Sequence, residues 1–161
     1  IGLDPATFEW RSLGKRDGLV INGGSGGFEG GVFTNAENFL LFGMLMIRRG
    51  EWAGKQLISR RWLDEAQSPQ ETGRVPHWLD DGWYREWLPG TYGLNWWCNG
   101  IKRDGGRLWP SAPAMTFAAQ GNKNQICLVI PEWNTIIVRT GDDGVVDMAR
   151  YDDVLRAIKE M

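Results

Sequence analysis

A serine followed three places on by a lysine occurs in this chain as Ser12-Leu13-Gly14-Lys15. On a helix that spacing puts hydroxyl and amine one turn apart, where the amine can take the serine proton and leave a nucleophile for acyl transfer. The neighbours oppose a helix. Gly14, Arg16, Asp17 and Gly18 make a solvated segment with no apolar continuation to anchor one, so Ser12 is expected in a loop and not as a nucleophile. His77 is the one histidine, set after a proline in a loop-like stretch, which is thin material for a Ser-His-Asp arrangement. Cys98 and Cys127 are far apart with no further cysteine or histidine at ligand spacing, so no metal is expected. Each cysteine sits in an apolar run and reads as a buried thiol, with a disulfide between the two as the alternative in an exported protein. Asn22 to Gly31 is glycine-rich but has no phosphate-loop spacing and no clear strand ahead of it, and reads as a tight turn.

The elements that would hold such residues follow from patterning. Thr34-Asn35-Ala36-Glu37 reads as a capping box with Thr34 as the cap, starting a helix at Asn35. Phe39, Leu40, Phe42, Met44, Leu45 and Ile47 make that helix apolar over most of its circumference, which predicts a buried helix. Arg48 and Arg49 suit its negative end and Gly50 its left-handed stop. Residues 51–57 read as a polar connection, and Ser59 caps a short helix over 60–67 that Pro69 ends. Residues 70–91 form a long loop carrying Trp78, Trp83, Tyr84 and Trp87. Strands are expected at 92–98, 115–119, 125–130 and 135–140, with a Gly/charge turn at 99–106 and a compact hairpin connection at 131–134. A closing helix over 152–160 would lay Val154, Leu155 and Ile158 on an antiparallel sheet.

Composition bounds the rest. The chain has 161 residues, 42% of them hydrophobic, and 18 basic against 20 acidic side chains. That suffices for one domain with its own core. A formal charge of −2, with its basic pairs such as Arg48-Arg49 and Arg60-Arg61 scattered along the chain and not clustered, gives no reason to bind nucleic acid. The longest apolar run, Phe39 to Ile47, is broken by Gly43 and far short of a membrane span. The sequence opens on Ile1 with no signal-like stretch, so any native start or export signal is expected outside these residues.

Five phrases in order, Gly30 to Phe39, Arg49 to Ser59, Tyr92-Gly-Leu-Asn-Trp-Trp97, Gly121 to Pro131 and Val138-Arg-Thr-Gly141, resemble the C-terminal half of the serine β-lactamase and penicillin-binding-protein-like hydrolases, nearest their class C-like branch. The resemblance spans nearly the whole chain. It implies an α+β fold: part of a β-lactamase/transpeptidase-like fold, with antiparallel strands, a C-terminal helix packed on them and a small helical region. Residues 1–161 would then be one domain, the C-terminal portion of a longer one. Such hydrolases use a Ser-x-x-Lys nucleophile, a Tyr-x-Asn or Ser-x-Asn element and a Lys-Thr-Gly-like box. Tyr84, Tyr92 and Tyr151 are each followed two places on by a residue other than asparagine, so only the third element has a counterpart here, Ala119-Gln120-Gly121 at the end of a strand.

By the resemblance, the Asn122 backbone amide is an oxyanion donor, Ala119, Gln120, Gly121, Trp83 and Tyr84 line the substrate cleft, and no cofactor is needed. The implied partners are a small carbonyl substrate and a missing N-terminal half, in a periplasmic or extracellular setting. Ala119 supplies no positive charge for a substrate carboxylate. The chain alone is expected to be inert, since removing a nucleophile leaves at most residual catalysis. A competing reading takes Trp78, Trp83, Tyr84, Trp87, Trp96 and Trp97 as a platform for sugar or peptide. Against it, adjacent Trp96 and Trp97 on a strand point to opposite faces. A catalytically dead scaffold subunit is the third reading.

Overall fold

The computed structural model describes residues 1–22, 31–70, 90–141 and 148–161. In chain order these form strands β1 (Phe8–Arg16), β2 (Leu19–Asn22) and β3 (Gly31–Thr34), then helix α1 (Ala36–Ile47). The short strands β4 (Glu51–Trp52) and β5 (Lys55–Gln56) precede α2 (Arg60–Ala66). Strands β6 (Trp97–Cys98), β7 (Phe117–Gly121), β8 (Gln125–Ile130) and β9 (Thr135–Arg139) come next, and α3 (Met148–Lys159) closes the chain. The class is α+β.

The central feature is an antiparallel sheet in the order β6-β7-β8-β9. Its register divides the side chains into two sets, because residues paired across antiparallel strands share a face. The rows Phe117/Val129/Ile136 and Ala119/Cys127/Val138 face one way and pack with Leu45 and Met46 of α1 and Leu63 of α2. The row Ala118/Leu128/Ile137, with Ile126 and Ile130, faces the other way and packs with Tyr151 and Leu155 of α3 and with Trp97 and Trp109. Helices therefore cover both faces of one sheet. β8, buried at every position after Gln125, has to be apolar on both sides, which is why Ile126 to Ile130 shows no alternation.

Several sequence expectations shift. The α1 cap is Asn35, whose side chain accepts the Asn38 amide at 2.9 Å, while Thr34 ends β3 opposite Phe8 and its hydroxyl is buried without a partner. Asparagine is the better cap, and the strand has already fixed Thr34. α1 is buried along Asn38, Gly43, Leu45 and Met46 only, with Leu40 40% exposed, so its outer side is uncovered among the described residues. Gly50 is left-handed as expected, and a Cβ there would sit 2.3 Å from the Ile58 carbonyl oxygen. The connection at 51–57 is a hairpin, β4 to β5, turned by Ala53 and Gly54, both at positive φ. α2 follows the expected bounds to within a residue, with Ser59 Oγ accepting the Trp62 amide at 3.2 Å.

The expected strand 92–98 is a strand only at Trp97–Cys98. Gly93 donates to the Trp96 carbonyl at 2.8 Å and Asn95 is left-handed, so residues 92–97 double back, with Tyr92 bridging Trp97. β7 lies two residues beyond the expected 115–119, since Met115 is exposed and Thr116 closes a turn on Pro113. α3 starts earlier than expected, and Val154 is exposed, because the buried stripe is Tyr151, Leu155 and the half-buried Ile158.

The first 34 residues hold the largest surprise, a second sheet in the order β2-β1-β3. Ser12 to Lys15 lies inside β1 and not in a loop, with the register shifting between Ser12 and Lys15 around left-handed Gly14. Asp17 and Gly18, both at positive φ, turn β1 into β2. A strand does then precede the glycine-rich segment, contrary to expectation, although residues 23–30 themselves lie outside the described residues.

Candidate functional site

The residues that the sequence reading placed at a cleft, Ala119, Gln120 and Gly121, are the last three of β7. On one side they pair with Cys127, Ile126 and Gln125 of β8. On the other, β6 covers only Phe117 and Ala118, so among the described residues the ladder edge of Ala119 to Gly121 is unpaired. An unpaired strand edge presents backbone donors and acceptors to whatever approaches it.

Alternation splits this trio. Ala119 is half-buried on the α1 side, whereas Gln120 shares the opposite side with Ile126 and Arg139. Gln120 Nε2 donates to Asn124 Oδ1 at 3.1 Å, and its Oε1 is buried without a partner. Gln120 and Ala119 therefore do not form one wall. A Cβ on Gly121 would meet only Gln125 Cβ, at 3.8 Å, which is ordinary contact.

Beyond Gly121 the chain makes a tight 3-10 turn, Asn122–Asn124, with Lys123 and Asn124 both left-handed (φ 59° and 58°). Other parts of the fold brace it. Arg139 donates to the Asn124 carbonyl at 3.0 Å and, more weakly, to that of Lys123 at 3.4 Å. The Tyr151 hydroxyl lies 3.5 Å from the Asn124 carbonyl. The Gln125 amide clamps the Gly141 backbone, accepting its N–H at 2.9 Å and donating to its carbonyl. Asn122, the expected oxyanion donor, is the first residue of this turn, and the braces fall on the carbonyls of Lys123 and Asn124 that follow it.

The α1 side of the edge is aromatic. Extending the Trp97/Ala118 and Cys98/Phe117 register by one residue sets Trp96 beside Ala119, and both pack on the same cluster. The Trp96 ring stacks on Phe42 (5.8 Å, 3°) and stands edge-on to Phe117 (5.3 Å, 89°). Trp97 goes to the opposite cluster, so the two do not share a platform. Sequence reading missed this wall, although Trp96 and Phe117 are both visible in it; what was hidden was the register that aligns Trp96 with Ala119.

Other candidates fall elsewhere. Ser12 and Lys15 lie on a strand, where a three-residue separation does not reproduce one helical turn. Gly23-Gly24-Ser25-Gly26-Gly27 has the letters of a nucleophile elbow and lies outside the described residues. His77, Trp78, Trp83, Tyr84 and Trp87 lie outside the described residues. Among the described residues no group of three or more His, Cys, Asp or Glu side chains is placed to hold a metal, and no helix is long and apolar enough to cross a membrane. A surface hollow of 330 Å³, lined by residues 6–9 and 33–35, belongs to the β1–β3 region and not to the β7 edge.

Cys98 and Cys127 are free and buried, so the disulfide alternative is not formed. Burial pushes both thiols up to about 12, slightly opposed at Cys98 by a backbone hydrogen bond near Gly93. Because the folded values are raised, the stability this contributes is complete below the unfolded thiol value of about 8.5 and is lost as pH rises from there towards 12. At pH 8 both thiols are expected to resist Ellman's reagent in the native chain and both to react in denaturant; fast native reaction would contradict this burial.

No family model and no curated protein matches the chain. Solved structures do. A Bacillus anthracis protein described as a 6-aminohexanoate-dimer hydrolase matches with a TM-score of 0.52 at 16% identity, over 83% of this chain and 31% of its own. A Bacteroides dorei DSM 17855 protein described as a β-lactamase matches with a TM-score of 0.52 at 14% identity, over 83% of this chain and 41% of its own. The fold is β-lactamase-like. The likeness reaches most of this chain but less than half of either relative's length, and at these identities it is a likeness of fold. Within that β-lactamase-like fold, the central sheet with helices on both faces is the frame that carries the β7 edge.

Proposed function

We propose that residues 1–161 are one domain-sized C-terminal portion of a serine hydrolase that cleaves an ester, amide or β-lactam carbonyl through an acyl-enzyme. The observation that carries this is the unpaired stretch Ala119 to Gly121, running into a cross-braced turn at Asn122, in a β-lactamase-like fold. A serine from outside these residues attacks the carbonyl and expels an alcohol or amine. Water then attacks the acyl-serine and releases the acid. The Asn122 N–H holds the oxyanion in both steps. Gly121 leaves the backbone open to the substrate.

Supporting the assignment of the nucleophile elsewhere, the Ser-x-x-Lys in this chain lies on a strand. The 161-residue chain should therefore take up no fluorophosphonate and hydrolyse no p-nitrophenyl butyrate. The protein translated from the same reading frame extended upstream should do both, through a serine in a helical Ser-x-x-Lys. Labelling of the 161-residue chain itself, or an upstream frame without that motif, would overturn the reading.

A further inference from the structure

We propose that Asn99-Gly100 is a deamidation site held shut by the fold: unfolding exposes it, and a chain deamidated there does not fold again. This holds whatever reaction the β7 edge serves.

Asparagine followed by glycine occurs twice in the chain, at Asn22-Gly23 and Asn99-Gly100. In such a pair the glycine, with no Cβ in the way, lets its own backbone nitrogen reach the asparagine side chain. The Gly100 nitrogen gives its proton to hydroxide and bonds Asn99 Cγ, the Cγ–Nδ2 bond breaks, and Nδ2 leaves as ammonia. Water then opens the resulting succinimide at either carbonyl, giving aspartate or isoaspartate. One water is consumed for each ammonia released.

The folded structure opposes each step. Asn99 is fully buried, away from hydroxide and water. Nδ2, the leaving group, donates to the carbonyls of Trp109, Ala112 and Pro113, while Oδ1 accepts the Trp109 amide. These bonds hold Cγ towards the 109–113 loop, and closing the succinimide would swing it onto the Gly100 nitrogen and break all of them. The unfolded chain keeps none of these restraints.

Both residues are fixed by the fold for reasons unrelated to this chemistry. Asn99 holds the loop, and a Cβ at Gly100 would collide with the Gly90 carbonyl oxygen. A labile pair is thus built into the interior and shielded there. After conversion, aspartate would turn a carboxylate oxygen onto the three carbonyls that Nδ2 met. Isoaspartate would lengthen the main chain by one carbon next to the Asn99 N–H that pairs with the Thr116 carbonyl. Either product blocks the return.

The test incubates the 161-residue chain at pH 8 across a guanidinium series and quantifies aspartate and isoaspartate at positions 22 and 99 by peptide mass spectrometry. In full denaturant both pairs should convert at similar rates. In buffer Asn99 should convert at least about a hundredfold more slowly than when denatured, a small part of the protection that a domain's stability allows. Between these limits its rate should rise in step with the unfolded fraction. When a partly converted, denatured sample is diluted and separated by size exclusion, the folded fraction should carry asparagine at 99, whatever stands at 22. Conversion of Asn99 in buffer at the denatured rate, a rate that is flat across the unfolding transition, or aspartate or isoaspartate at 99 in the folded fraction would overturn the proposal.

Discussion

Asn99→Ala should lower folding stability by about 4 kcal/mol, enough to remove most of the margin of a domain whose total is about 5–15 kcal/mol. Asn99 is fully buried. Its Nδ2 donates to the carbonyls of Trp109, Ala112 and Pro113 at 2.9, 3.2 and 3.0 Å, and its Oδ1 accepts the Trp109 amide at 2.8 Å. One side chain thus engages four backbone groups of the 109–113 loop, its two N–H hydrogens shared among three carbonyls, and each buried group left unmade costs about 1–3 kcal/mol. The same residue's N–H donates to the Thr116 carbonyl at 2.9 Å just before β7, and its carbonyl accepts from Arg107. Losing the amide frees the loop that carries the buried Trp109 and sets the entry of β7, so the β7 edge should loosen with it. Asn99→Asp should be no better, because it turns the donor into a carboxylate oxygen facing three carbonyls. Urea midpoints at constant m-value measure both variants, and a loss under about 1.5 kcal/mol in Asn99→Ala would mean that water replaces the amide.

Nothing in the sequence marks Asn99 as this hub. It sits between Cys98 and Gly100, where an asparagine beside a glycine reads as a turn, and only the tertiary return of residues 109–113 gives it partners. Gly100 is constrained in the same non-local way, since a Cβ there would lie 1.9 Å from the Gly90 carbonyl oxygen. The Tyr92 to Cys98 stretch fails for a related reason. Its aromatic content resembles a strand, but Gly93 must lie against the backbone of Ala66, where a Cβ would come within 2.2 Å of the carbonyl oxygen, and that bends the chain away from the sheet.

What the sequence does carry is the heart of the sheet. β8 matches the expected 125–130 to the residue, and β9 to within one, because Pro131 to Asn134 bounds them with a turn whose chemistry is local: left-handed Asn134 closes a 3-10 turn on the Pro131 carbonyl. The opposed directions of Trp96 and Trp97 were legible from alternation alone. The β1–β2 hairpin went unread, because the glycine and charge content around Lys15 looks like a solvated loop, although Asp17-Gly18 is the turn that joins the two strands. The local structure around the candidate residues was legible in part. Local sequence finds the strand and turn from Ala119 to Asn122, while the split of Ala119 from Gln120 and the alignment of Trp96 depend on register, which pairing across the sheet decides.

Gly43→Val should cost about 3 kcal/mol or more, the upper range for overpacking a filled core. α1 lies close against the sheet at this residue. A Cβ on Gly43 would stand 2.7 Å from Cys127 Sγ and 2.9 Å from Ile136 Cγ2. Cys127 has little room to retreat because it lies in the buried strand β8, whereas Ile136, half-buried on β9, can yield in part. A glycine in mid-helix sacrifices about 1 kcal/mol of helix propensity relative to alanine, so its presence here is explained by contact and not by the helix itself. Gly43→Ala separates the two effects: the propensity gain opposes the clash, and the net loss should be smaller than for valine. Adding Cys127→Ala removes the sulfur at 2.7 Å and should recover at least about 1 kcal/mol of the Gly43→Ala loss, a coupling within the range for side chains in contact. A double-mutant cycle by urea denaturation reads this directly. Strict additivity would show that α1 slides over the sheet instead of being pinned at Gly43, and the aromatic wall of Phe42 and Trp96 would then be free to move with it.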